Sequence, residues 1–207
     1  MANFKNEKVK DFLNELIKVE QQETGEALQK YFEGLARILF NKIDILAGND
    51  RYSFAEIEFY YQNAIFKDGQ YKDTYARTKS AGSLFWHLSG IDICFESNKA
   101  EGYFGGIIIR SIVKEDGSLI TGPMCCSDEL LNSCVQSSTI ETPSIIPILI
   151  DKETELNIDS HATIRQGIKA DKVKNAIPFC FYVERPSWKN HKGYNYSARP
   201  DYRNNNI

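Results

Sequence analysis

Apolar positions recur twice at helical spacing near the start of the chain. Val9, Phe12, Leu13, Leu16 and Ile17 form one stripe, and Ala27, Leu28, Tyr31, Phe32, Leu35 and Ala36 form a second, with Gly25 between them. The period then changes to two. Ile43 to Leu46 predicts a short strand, Gly48-Asn49-Asp50 a turn, and Phe54 to Tyr61 (Phe-Ala-Glu-Ile-Glu-Phe-Tyr-Tyr) a further strand. A polar loop over 67–81 precedes strands near 83–88, 91–96 and 106–113, and Glu115-Asp116-Gly117 reads as a hairpin turn. Gly122-Pro123 followed by Ser127-Asp128-Glu129 predicts a helix start with Ser127 as N-cap. Strands at 145–150, 162–168 and 179–184 complete the pattern. Helices before and between antiparallel hairpins predict an α+β fold. The expected organisation is an N-terminal helical extension over 1–24, one α+β domain over 25–188 and a basic-aromatic tail over 189–207. The first helix is either an interaction element or an amphipathic helix packed on its own domain.

Composition narrows the class. The chain has 207 residues, 42% hydrophobic, enough for one well-cored domain, and its 12% aromatic content argues against disorder. No apolar run approaches the ~20 residues of a membrane span, and the opening Met-Ala-Asn-Phe-Lys-Asn-Glu-Lys lacks the apolar core of a signal peptide. Five cysteines (Cys94, Cys125, Cys126, Cys134 and Cys180) form no disulfide framework. The expectation is a cytoplasmic protein without a membrane partner. Cys125, Cys126 and Cys134 have poor zinc spacing and no histidine near them in sequence, so they read as small buried hydrophobes and no metal is expected.

The net charge of −3 counts against a nucleic-acid partner, but the charge is unevenly spread. From Arg185 onward, Arg185, Lys189, Lys192, Arg199 and Arg203 face only Asp201, a net +4, and the rest of the chain carries −7. Trp188, Tyr194, Tyr196 and Tyr202 interleave with those cations, a pattern that suits phosphates and exposed bases as well as a solvated tail.

The chemistry centres on the strand around Glu58. Side chains alternate along a strand, so Glu56, Glu58 and Tyr60 share one face and Ile57, Phe59 and Tyr61 the other. Partial desolvation raises a carboxylate's affinity for a proton, so a glutamate among aromatics can serve as a general base. The same pattern also suits the polar outer face of a half-buried antiparallel strand. There is no Gly-x-Ser-x-Gly elbow, Gly-Lys-Ser/Thr phosphate loop or His-Glu-x-x-His helix, and Gly102, Gly105 and Gly106 read as close backbone approach rather than a dinucleotide fingerprint.

Glu56-Ile57-Glu58-Phe59-Tyr60 resembles the Glu-x-Glu-x-Tyr strand of the methylpurine (3-methyladenine, alkyladenine) DNA glycosylase family. Further matches follow in the same order: Arg77, Gly82-Ser83-Leu84, Gly90-Ile91-Asp92-Ile93-Cys94-Phe95, Gly106 to Ile112 around Arg110, Gly122-Pro123 with Leu130-Leu131, Arg165-Gln166-Gly167-Ile168, and Phe181 to Trp188. The resemblance runs from about Ala27 to Trp188.

It implies a single mixed domain on a curved antiparallel sheet, and a monofunctional enzyme of base excision repair that hydrolyses the N-glycosidic bond of alkylated or deaminated purines in damaged DNA. A nucleotide is flipped from the duplex, and no cofactor is needed. Glu58 would be the general base and Arg110 would position the water or Glu58. Tyr60 would stack on the base or hydrogen-bond beside it, with Trp86 or His87 opposite, although these two alternate in phase on a strand. Arg77, Ser89, Arg165, Arg185 and Lys189 are the positions expected on nucleic acid. Three departures stand out. The family's pocket histidine corresponds to Tyr75, its pocket asparagine to Glu96 or Ser97, and its wedging tyrosine to Ser89, too small to fill a gap in a base stack. These departures leave open a nucleoside or small-glycoside hydrolase, or a non-catalytic binding protein on the same fold.

Overall fold

The computed structural model describes residues 6–22, 24–63, 79–98, 100, 102–137, 146–165 and 177–184. Helix α1 spans Glu7–Ile17 and continues into a 3-10 turn over Lys18–Gln21, and α2 spans Gly25–Lys42. Thr24, in extended backbone conformation, caps α2 by accepting from the Ala27 amide at 3.1 Å. Strands β1 (Ile43–Ala47), β2 (Asp50–Gln62), β3 (Leu84–His87), β4 (Gly90–Cys94), β5 (Phe104–Lys114) and β6 (Leu119–Thr121) follow. Helix α3 (Pro123–Ser137) then precedes β7 (Ile148–Asp151), β8 (His161–Thr163) and β9 (Cys180–Tyr182). The fold is α+β, with a curled antiparallel sheet in the order β3-β4-β5-β2-β1-β7. Strand β6 pairs with β5, and β9 lies between β2 and β8.

Strand β2 is central. Along one edge it pairs with β5, and along the other with β1 through Asp50–Ser53 and with β9 through Glu56–Glu58. Period-two alternation is broken once. Phe54 opposes Ile112, Glu56 opposes Ser111 and Ile57 opposes Ile109, which leaves Ala55 and Arg110 outside the β2–β5 register. The irregularity lets Phe54 and Ile57, three residues apart, both join the apolar core.

That core is aromatic. Phe32 on α2 stacks on Phe59 at 4.4 Å between ring centroids and on Phe95 at 5.7 Å, and meets Phe179 edge-on at 5.0 Å. Helix α1 is an integral layer rather than a free extension: Phe12 and Leu16 are fully buried in the same core. Asn6 gives α1 no side-chain cap; the Asp151 carboxylate at the end of β7 instead accepts from the Lys8 and Val9 amides at 3.2 and 2.9 Å. Among the described residues no helix is long and apolar enough to cross a membrane.

Helix α3 begins at Pro123, not after Ser127. The Cys126 amide donates to the Gly122 carbonyl at 2.9 Å, and Ser127 lies buried inside the helix. Proline at the first helical position has its φ preset and loses no bonded amide, so it outcompetes the serine as the start. Two turn glycines seat this helix. A Cβ at Gly48 (φ +61°) would lie 2.3 Å from Ser137 Oγ, and one at Gly90 (φ +140°) 2.7 Å from Pro123 Cβ. Tyr52 adds a polar anchor, its hydroxyl 2.9 Å from Glu129 Oε1 and 2.6 Å from Ser133 Oγ.

Truncating Phe32, which is 0% exposed, is expected to cost about 3–5 kcal/mol. Urea denaturation of Phe32→Ala should show a lowered midpoint with the slope unchanged.

Candidate active site

Glu58 is completely buried and Glu56 is 2% exposed. Carboxylates are rarely found at such depth without compensating partners. Glu58 Oε2 accepts from the Tyr60 hydroxyl at 2.7 Å and lies 3.3 Å from Arg110 Nη1. Glu56 Oε1 lies 3.4 Å from Arg110 Nε, and its Oε2 accepts from Ser111 Oγ at 3.1 Å. Cys180 Sγ donates to Glu56 Oε1 at 3.5 Å from the opposite flank. The residue that leaves the β5 register, Arg110, is therefore the one whose guanidinium spans both carboxylates. Bulges that re-aim a side chain in this way recur beside functional sites.

The electrostatics follow from depth. Burial, and then the Glu58 carboxylate, push the Tyr60 hydroxyl far above its ordinary value, so it stays protonated and donates to Glu58. Burial acts to discharge Arg110, but Glu58 and Glu56 outweigh it and hold the guanidinium charged. Arg165, 4% exposed, places its guanidinium carbon 4.6 Å above the Tyr60 ring and donates from Nη1 to the Phe59 carbonyl at 3.1 Å.

Paired residues in antiparallel strands share a face. The pairings place Phe85, Asp92, Ile108, Glu58, Cys180 and Thr163 in one cross-strand row. Trp86 pairs with Ile91 and so falls on the other face, where it packs against the apolar core. It does not line the carboxylate site. His87 is on Glu58's side, stacked on Phe85 at 5.5 Å between centroids. Its Nδ1 accepts from the Ser89 amide at 3.2 Å, and its Nε2 lies 3.2 Å from buried Asp92 Oδ1 without hydrogen-bond geometry. Asp92 is two strands from Glu58, about 10 Å at the usual strand spacing.

The remaining expectations divide. Arg165 is buried against Tyr60, not displayed for phosphate contact. Glu96 Oε2 accepts from the Ala81 amide at 2.8 Å and so ties down the approach to β3. Ser89 is exposed in the β3–β4 turn, but Leu88 beside it, 94% exposed, is the apolar residue at the tip. Tyr75, Arg77, Arg185, Lys189 and the tail lie outside the described residues. Cys126 and Cys134 are buried as expected, whereas Cys125 is exposed.

Ser111 and Cys180, which hold Glu56, were missed from sequence, as were Asp92 and Phe85 farther along the Glu58 row, whereas Glu56 was placed on the Glu58 face without a role. Alternation in Gly90-Ile91-Asp92-Ile93-Cys94 marks Asp92 as a polar residue facing away from the core, a signal that was available. Ser111 and Cys180 reach Glu56 only through strand pairing. Among the described residues, Glu56, Glu58 and Cys180 are the group able to hold a metal, their ligand atoms lying within 4.8 Å of one another. The guanidinium of Arg110 already lies against both carboxylates, so a cation there would have to displace it.

No protein-family model matches the chain, and no curated protein matches it.

Tyr31, Tyr52, Tyr60 and Tyr61 are all held well above the ordinary tyrosine value of 10.0, chiefly by burial. Above that pH an unfolded chain sheds protons that the folded one keeps, so stability falls as pH rises. Alkaline titration followed at 295 nm should show these four among the 11 tyrosines ionising only as the protein unfolds.

Proposed function

We propose that the chain is a monofunctional N-glycosylase acting on alkylated or deaminated purines in DNA, a divergent relative of the methylpurine DNA glycosylases. The supporting observation is the buried Glu58 with the Tyr60 hydroxyl at 2.7 Å and Arg110 at 3.3 Å, side chains from two strands at the positions the resemblance marks. Glu58 would take a proton from water as the water oxygen bonds to the sugar anomeric carbon. The glycosidic electron pair would leave with the base, which departs neutral if alkylation had made it cationic. Tyr60 and Arg110 would hold the carboxylate in place. His87 and Phe85 replace Trp86 as the aromatic side chains on the Glu58 side. Leu88 replaces Ser89 as the apolar side chain able to enter a base stack, a task that leucine can perform.

Arg165 favours a second reading. Its guanidinium covers one face of the Tyr60 ring at 4.6 Å, a face a stacked base would otherwise use. The acidic balance of the chain before Arg185 also suits a nucleoside or small glycoside better than a polyanion.

The two readings separate in one assay. Duplexes carrying hypoxanthine or ethenoadenine, and DNA carrying 3-methyladenine, are incubated with wild type and Glu58→Gln, and released base is measured. Release that falls at least ~10²-fold in Glu58→Gln supports the glycosylase. No release and no salt-dependent DNA binding excludes it and leaves the nucleoside or non-catalytic alternative. Leu88→Ala should lower release from duplex while sparing single-stranded substrate.

A further inference from the structure

Glu56 is a buried charge beside Glu58 that the proposed hydrolysis does not use. We propose that Glu56 is a positioning residue: it holds the Arg110 guanidinium through Nε so that Nη1 is presented to Glu58. The catalytic consequence rests on the hydrolase reading, whereas the hold on Arg110 rests on geometry alone.

Arg110 lies outside the β2–β5 register, and its backbone is held on the other edge, where its carbonyl accepts from the Gly122 amide at 2.8 Å, so its long side chain is left to its own contacts. Arginine has about 2 kcal/mol of rotamer freedom to lose, and one contact to Glu58 at 3.3 Å locates a nitrogen without setting the guanidinium plane. A second contact, an ion pair of 3.4 Å from Nε to Glu56 Oε1 without hydrogen-bond geometry, adds a second point of attraction and narrows where the guanidinium can lie. Glu56 is itself held from both neighbouring strands, by Ser111 Oγ of β5 at 3.1 Å and by Cys180 Sγ of β9 at 3.5 Å.

The charge balance points the same way. The two buried carboxylates have oxygens within 4.8 Å, and like charges at that distance repel unless a cation is shared between them. Arg110 is that shared cation, and its Nη2 has no hydrogen-bond partner among the described residues. With Nη1 hydrogen-bonded to Glu58 and Nε within ion-pair distance of Glu56, the guanidinium keeps Nη2 for a water or a substrate oxygen.

The test follows the Arg110 Nε–H resonance in protein labelled with 15N at arginine side chains, assigned by its loss in Arg110→Lys, alongside single-turnover base release. Wild type should show a resonance protected from solvent exchange. Glu56→Gln should lose that protection, and Glu56→Asp, which keeps the charge, should recover part of it. Release in Glu56→Gln should fall by up to ~10²-fold with substrate affinity unchanged. The same substitution made in Arg110→Lys should cost little more, because the group it positions is already gone. Ser111→Ala, which loosens Glu56 without removing charge, should move the resonance in the same direction by less, and it serves if Glu56→Gln does not fold. An unchanged Nε–H resonance in Glu56→Gln overturns the proposal whatever the activity, as does a fully additive loss in the Arg110→Lys background. If wild type releases no base, the hydrolase reading fails, and the resonance alone decides whether Glu56 holds Arg110.

Discussion

Two carboxylates buried in the middle of a sheet, sharing one guanidinium, set the terms for the rest of the structure. An ionised carboxylate removed from water is costly unless it is paired and hydrogen-bonded. Glu56 and Glu58 are both 2% exposed or less, and their partners come from every strand that touches this part of β2. Ser111 and Arg110 arrive on β5, Cys180 on β9, and Tyr60 on β2 itself. Strand β5 brings both Arg110 and Ser111 to the carboxylates, and β9 brings Cys180 to Glu56. Strand β2 therefore has to be flanked on both edges at Glu56–Glu58, and the sheet supplies β5 on one side and β9 on the other.

The two faces of β2 divide the work. One presents Ile57, Phe59 and Tyr61 to an aromatic core in which Phe32 of α2 is the shared partner of Phe59, Phe95 and Phe179. Close packing there holds the backbone still, and a still backbone is what lets the opposite face keep ionic contacts near 3.3 Å. Tyr60 sits between a carboxylate that accepts from its hydroxyl and an arginine that lies on its ring, so its orientation is fixed from two directions. The proposed general base would need this kind of support, because rate depends on holding the reacting groups within a fraction of an ångström.

Much of the architecture was legible in the chain. The two helical stripes, the long strand through Glu58, the β3–β4–β5 series and the Glu115-Asp116-Gly117 turn all stand where periodicity and turn chemistry put them, because these signals are local. The start of α3 was misplaced because a proline-initiated helix and a serine cap compete over the same few residues, and the proline's preset backbone won. Packing of the first helix on its own domain, one of the two readings the sequence left open, is the one observed, because amphipathicity shows that a face will be buried without showing against what. Asp151, far along the chain, supplies the cap that ties it down.

For the site, the sequence by itself determined that Glu56, Glu58 and Tyr60 would share a face, since alternation is a property of the strand backbone. It also determined that Trp86 and His87 would point opposite ways. Only the tertiary structure decided which of those two shares the carboxylate side, because that depends on the register of β3 on β4, β4 on β5 and β5 on β2. It alone displaced Arg110 from the ladder and set its guanidinium across both carboxylates, and it alone turned Arg165 inward onto Tyr60. These outcomes depend on strand pairing and on charges from distant segments meeting in a space without water, where each buried ion must find its partner and no local pattern specifies which one.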